Sequence, residues 1–171
     1  MAMKKTQQGF ALLIAVIFMS VMMALGLALS SLGYKQEVLA SSSIESQYAF
    51  YAADAALECA LYYDQRLNSF DYASHGADNP PNQITCDNAT ATELPSSYSY
   101  TMGSNGRLYV SERLSLDNTH CADVTVYKYG TPQGSAHITT YIFSQGYDVS
   151  CSTVTNPQGA RFVSRGINIY Y

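Results

Sequence analysis

Apolar and polar positions follow a different rule in each stretch of the chain. Between Phe10 and Lys35 there is no charged residue. Leu, Ile, Val, Met and Ala dominate, and Ser20, Gly26, Ser30 and Ser31 are the uncharged interruptions. A run of about 20 or more apolar residues is long enough to cross a bilayer as a helix, which predicts a membrane helix over 10–33. Residues 33–43 are polar and serine-rich, a thin place in the pattern. Beyond them Phe50, Ala53, Leu57 and Leu61 recur at helical spacing among alanines, which predicts an amphipathic continuation over 34–64. Glu45, Asp54 and Glu58 lie mostly off that face. Residues 65–97, with Pro80 and Pro81 and many Asn, Asp, Ser and Thr, read as one long connection.

From Tyr98 the period becomes two. Leu108 and Val110, Val124 and Val126, Ile138 and Ile142, and Ile167 and Ile169 alternate with Tyr, Thr and Ser. Turn signals separate these runs at Asp117-Asn118, at Gly130-Thr131-Pro132-Gln133-Gly134 and at Asn156-Pro157-Gln158-Gly159. The expected head, 98–171, is an antiparallel sheet of about four strands. The amphipathic half of the helix is the obvious cover for its apolar face, so the fold class is α+β.

Charge narrows the function. The chain carries −4, or −6 once Lys4 and Lys5 are set aside, and its acids are scattered. That suits a solvated exterior and argues against a broad nucleic-acid surface, leaving room only for a small local patch. The four cysteines, Cys59, Cys86, Cys121 and Cys151, have no C-x-x-C spacing. Beyond a translocating segment they suggest disulfides in an oxidising compartment. Three connectivities are open. A hairpin pairing Tyr129 with His137 brings Cys121 within a bulge's slip of Cys151, which leaves Cys59 to tether the long connection through Cys86.

Catalytic chemistry is hard to find. No G-x-S-x-G, H-E-x-x-H, P-loop or EF-hand pattern occurs. His75, His120 and His137 have no ligand-like spacing and read as surface or turn residues. Neither a metal nor a cofactor is expected, nor an enzyme. Asn88-Ala89-Thr90 matches a glycosylation sequon by pattern, in a stretch where chance supplies one. Fifteen tyrosines without a tryptophan suit half-exposed strands, and tyrosine is also common in contact sites.

The start of the chain admits three readings. Ala28-Leu29-Ser30 has the small residues of a signal-peptide cleavage site, but the apolar run exceeds the usual ~7–15-residue core of such peptides. A plain single-pass anchor fits the hydropathy, with Lys4 and Lys5 holding the N-terminus in the cytoplasm. The third reading rests on Gly9-Phe10, placed between a short basic leader, 1–9, and the full-length apolar run. This resembles the class III leader of type IV pilins and type II secretion pseudopilins. The segment Ala49-Phe50-Tyr51-Ala52-Ala53-Asp54-Ala55-Ala56-Leu57-Glu58 is similar to that of PilX-like minor pilins. The resemblance covers roughly residues 4–61.

It implies cleavage between Gly9 and Phe10 by a prepilin peptidase, N-methylation of Phe10, and assembly with other pilin or pseudopilin subunits through the N-terminal helix. It further implies a single-pass protein of the inner membrane whose exported head later joins a surface or periplasmic filament. Most type IV pilins carry glutamate at the fifth position of the processed chain, and here that position is Ile14. The departure is shared with PilX-like and general-secretion protein K-like minor subunits. A carboxylate in the membrane is costly unless paired. A subunit without one cannot neutralise a neighbour's terminal amine, but its own amine can still be paired. That asymmetry suits a subunit at a filament's end or one that primes assembly. The rival expectation is a membrane-anchored adhesin outside any filament.

Overall fold

The structure is a computed structural model and describes residues 7–71, 74–76, 78–101, 106–129 and 139–171. It is α+β. Helix α1 (Gln7–Gln65) leads into β1 (Thr85–Cys86), β2 (Ala89–Thr90), β3 (Thr92–Thr101), β4 (Arg107–Leu116), β5 (His120–Tyr129) and β6 (Thr139–Tyr147). A short helix, α2 (Cys151–Thr155), and a last strand, β7 (Ser164–Tyr170), follow. The chain divides into two compact units between Ser43 and Ile44.

In the first unit α1 is unbroken through the serine-rich stretch, and every described side chain from 9 to 43 is exposed. Leu, Met and Ala favour helix. The serines add local bonds, with the Ser20 hydroxyl donating to the Ile17 carbonyl at 2.8 Å and that of Ser42 to Leu39 at 3.0 Å.

In the second unit residues 44–65 of α1 lie on a five-stranded antiparallel sheet, ordered β3-β4-β5-β6-β7, while β1 and β2 form a separate hairpin. The described apolar residues of the period-two runs share the helix-facing side; Ile138 lies outside the described residues. Val110, Val126, Ile142 and Ile169 form one cross-strand row, and Glu112, Val124, Ser144 and Ile167 the next. The tight turns use Asx residues, which tolerate positive φ. Asp87 and Asn88 (φ 50° and 60°) join β1 to β2, and Asp117 and Asn118 (φ 48° and 60°) join β4 to β5. The expected turn at 130–134 and His137 lie outside the described residues.

The buried face keeps Ala53 and Leu57 of the expected stripe, with Leu61 half-buried against the core, but it is otherwise made of small residues. Ala49, Ala52, Ala56 and Ala60 are buried as well, while Phe50 is 45% exposed. Gly146 on β6 explains the preference for alanine. A Cβ at Gly146 would stand 2.1 Å from the Ala49 carbonyl oxygen and 2.3 Å from the Ala53 nitrogen. Helix and strand therefore touch backbone to backbone, and only small side chains permit that approach.

The region 65–97 is not one loop. It contains β1, β2 and the start of β3, and it sends Phe70, Ile84 and Ala91 into the core. The extra strand β3 pairs with β4 through a register shift between Glu93 and Tyr98, so Pro95 falls at a break in an edge strand, where proline is tolerated.

The cysteines pair as Cys59–Cys86 and Cys121–Cys151, with Cα atoms 6.3 Å and 4.8 Å apart. The expected route to the second pair needs correcting. On β6 the partner of Cys121 is Tyr147, and Tyr129 is opposite Thr139. Cys151, the first residue of α2, reaches Cys121 because residues 148–150 carry the chain on from Tyr147, not because the two face each other across a hairpin.

Candidate functional site

The residues that carry the processing and assembly expectations lie on α1. Gly9 is helical and exposed, Phe10 is 69% exposed and Ile14 is 50% exposed. Lys4 and Lys5 lie outside the described residues. The helix from Gly9 onward is long and apolar enough to cross a membrane, and its most apolar window buries nothing within the chain. Among the described residues this surface of Leu, Ile, Met and Phe side chains is left uncovered, and exposed apolar surface of that extent marks a membrane or protein contact.

The head adds groups that the sequence pattern did not single out. At the end of α1 the Asp64 carboxylate is 5% exposed. Lys128 on β5 brings its Nζ to 2.6 Å and 2.7 Å from the two carboxylate oxygens, and the Tyr171 hydroxyl donates to Oδ2. A buried charge survives only when paired in this way. Burial, together with the bond to Asp64, pushes the Tyr171 hydroxyl well above its ordinary range. The cluster fastens the last helical turn to the middle and the far edge of the sheet. Its one sequence signal is an acid at the end of an apolar helix face.

On the opposite side of the sheet, Arg113 and Asp123 face each other across β4 and β5 and form a bidentate pair at 2.6 Å and 2.8 Å. Arg113 also donates to the Thr155 hydroxyl of α2 at 2.9 Å, and the Tyr147 hydroxyl donates to Asp123 at 3.1 Å. Burial first, then the Asp123 charge, pushes Tyr147 up to about 12. Further along the same face Tyr109, Tyr127, Tyr141 and Tyr170 form one row across β4–β7. Successive ring centroids are 5.0 Å apart for Tyr109–Tyr127 and 5.9 Å for Tyr127–Tyr141. Tyr129 stacks beside Tyr127 at 6.4 Å, and the Arg107 guanidinium sits 5.7 Å from the Tyr129 ring centre. Tyr129 and Tyr170 are exposed, while Tyr109, Tyr127 and Tyr141 are half-buried on their strands, as the composition implied. Their alignment in one row depends on register, which composition does not carry.

Beside α1, between its Tyr48–Ala55 stretch and the β4–β5 turn, lies a cavity of about 320 Å³. Tyr48 stacks on His120 at 5.3 Å. His120 is the first residue of β5, next to the β4–β5 turn, and its Nδ1 lies 3.0 Å from both oxygens of Asp117. Thr119 donates from its hydroxyl to Asp117 at 2.6 Å. That bond, with the His120 contact, pulls the Asp117 carboxyl down to about 2. His75 instead turns inward, with Nε2 2.8 Å from the Ser69 carbonyl oxygen. Asp54 is half-buried and Glu58 exposed, and Asn88 stands exposed at the β1–β2 turn.

Among the described residues no three His, Cys, Asp or Glu side chains are grouped to hold a metal ion. Comparison of the chain with protein-family models, with curated proteins and with solved structures finds no match.

Proposed function

We propose that the protein is a minor pilin or pseudopilin subunit of a type IV pilus or a type II secretion-like filament, acting at the tip or in priming assembly. One observation carries the reading. A single helix, α1, supplies both an exposed apolar stretch that begins at Gly9-Phe10 and the spine on which an antiparallel head sheet is built. In that role the protein works by assembly and not by catalysis. The stretch is held first in the inner membrane and then among the helices of other subunits. Two disulfides in the head suit an oxidising exterior. Ile14 keeps the apolar stretch free of a carboxylate, which favours an end position over the repeating body.

The test is the mass of the N-terminal peptide of membrane-extracted protein, from cells that contain a prepilin peptidase. The expected product begins at methylated Phe10, and Gly9→Leu retains the leader. An intact leader on the wild-type chain in such cells would sink the reading. For the end position, Ile14→Glu should permit incorporation along the filament shaft, scored by immunogold labelling. Wild-type label spread evenly along the shaft would remove the end-subunit idea alone.

The second reading is a single-pass adhesin outside any filament. The row of Tyr109, Tyr127, Tyr141 and Tyr170 on the sheet face away from α1 favours it, because aromatic rings offer contact area at low entropic cost. An intact Met1, or a cut near Ser30, would support it.

A further inference from the structure

The cavity lies between the Tyr48–Ala55 stretch of α1 and the β4–β5 turn. Its walls are aromatic and aliphatic, from Tyr48, Tyr51, Ala52 and Leu116; Asp87 and Asp117 bring two carboxylates, and His120, stacked on Tyr48, lies against Asp117. Tyr48 and Tyr51 are 52% and 64% exposed, so these rings form an open rim and do not fill the core. The acids are fixed in place. Asp87 accepts the Asp117 backbone N–H at 2.8 Å, and Asp117 is held by four donors from Thr119 and His120. Both stand at positive-φ turn positions, which sets where their carboxylates project.

We propose that this cavity binds an arginine side chain presented by a partner protein. Aromatic faces attract a guanidinium by cation–π contact and by stacking. Two carboxylates beside them supply the opposite charge, and a planar fork of five donors engages both better than a compact ammonium does. A volume of about 320 Å³ is at the lower end of ligand pockets, room for one long side chain and not for a folded segment. A metal ion is the poorer occupant, since the walls are mostly apolar and no metal-binding group of three ligands is present among the described residues. The proposal stands whether or not the protein belongs to a filament.

The test uses the full chain in detergent micelles, with acetyl-arginine amide as probe and acetyl-citrulline amide as its uncharged isostere. Ring resonances of Tyr48, Tyr51 and His120 are followed by NMR during titration. The expected result is saturable shifts with the arginine probe and binding at least about tenfold weaker with citrulline, a difference of ~1.4 kcal/mol. Asp87→Asn and Tyr51→Ala should each weaken the arginine probe several-fold. Tyr51→Ala alters an exposed ring and leaves the fold intact, so it keeps the test valid if the Asp87 turn is disturbed. Equal binding of the two probes, no saturation, or displacement of arginine by millimolar Mg²⁺ or Ca²⁺ would each overturn the proposal.

Discussion

Replacing Gly146 with alanine adds one methyl group where the structure leaves none of the room it needs. The new Cβ would lie 2.1 Å from the Ala49 oxygen and 2.3 Å from the Ala53 nitrogen, whereas ordinary contact begins at 3.4 Å. Helix and strand must separate by about 1 Å or more, because the obstructing atoms belong to the backbone and no rotamer change moves them. Separation also loosens Ala52, Ala56 and Ala60, which are packed against the same sheet. Overpacking typically costs about 1–3 kcal/mol, and with the helix lifted the cost should reach about 3 kcal/mol or more. That is a large part of the ~5–15 kcal/mol that holds a domain folded. Denaturant unfolding of the full chain in micelles, followed by near-UV circular dichroism, measures it. Adding Ala53→Gly to Gly146→Ala should give no rescue, since the clash is with the Ala53 nitrogen and not with its methyl. A Gly146→Ala protein within ~0.5 kcal/mol of wild type, or a rescue by Ala53→Gly, would refute the backbone-contact reasoning.

Three further outcomes are expected. Removing either disulfide by paired Cys→Ser changes should cost roughly 2–4 kcal/mol, and non-reducing peptide mapping should recover Cys59–Cys86 and Cys121–Cys151, with Cys59 linked to Cys121 as the contrary result. Lys128→Met should destabilise the head by about 3–5 kcal/mol because it leaves the buried Asp64 carboxylate without its counter-charge, and adding Asp64→Leu should recover much of the loss. Tyr147 has a folded value raised from 10.0 to about 12, so its contribution is fully present below pH ~10 and is lost as pH rises through about 12. Alkaline unfolding of Tyr147→Phe should then show a shallower decline over that window, by on the order of 2 kcal/mol; an unchanged slope would count against the Tyr147–Asp123 linkage.

Much of the head was legible because its strands obey a strict alternation. Val110, Val126, Ile142 and Ile169 fall in one inward row, as their period-two spacing requires. The helix face was legible in part, since Ala53 and Leu57 are buried and Leu61 packs against the core. Phe50 is the exception, because the sheet approaches so closely at Gly146 that alanines occupy the contact and Phe50 stays outside. Smallness, not hydrophobicity, was the signal there. Strand β3 was hidden by Pro95 and its neighbouring serines, which look like loop and in fact mark a register shift at a sheet edge. Cys121–Cys151 was expected on a hairpin register that the strands do not have, and the short stretch 148–150 after β6 supplies the connection instead. The cavity beside α1 joins Tyr48 and Tyr51 to residues of two distant turns, Asp87 and Asp117, and to His120 at the start of β5. No local pattern announces such a meeting, because tertiary folding alone brings those segments together.

The disulfides also set how the head responds to pulling. Tension entering α1 at residue 44 can peel the helix from the sheet only as far as Cys59, where the load passes through a covalent bond to Cys86. The 27 residues of separation between those cysteines are then shielded, which withholds about 90 Å of extension. The Cys121–Cys151 link, with a separation of 30, withholds about 100 Å more. A head built this way yields in short steps and keeps strands β5 and β6 joined under load, so the oxidised protein should be short and stiff in a force–extension experiment where the reduced one is long and compliant.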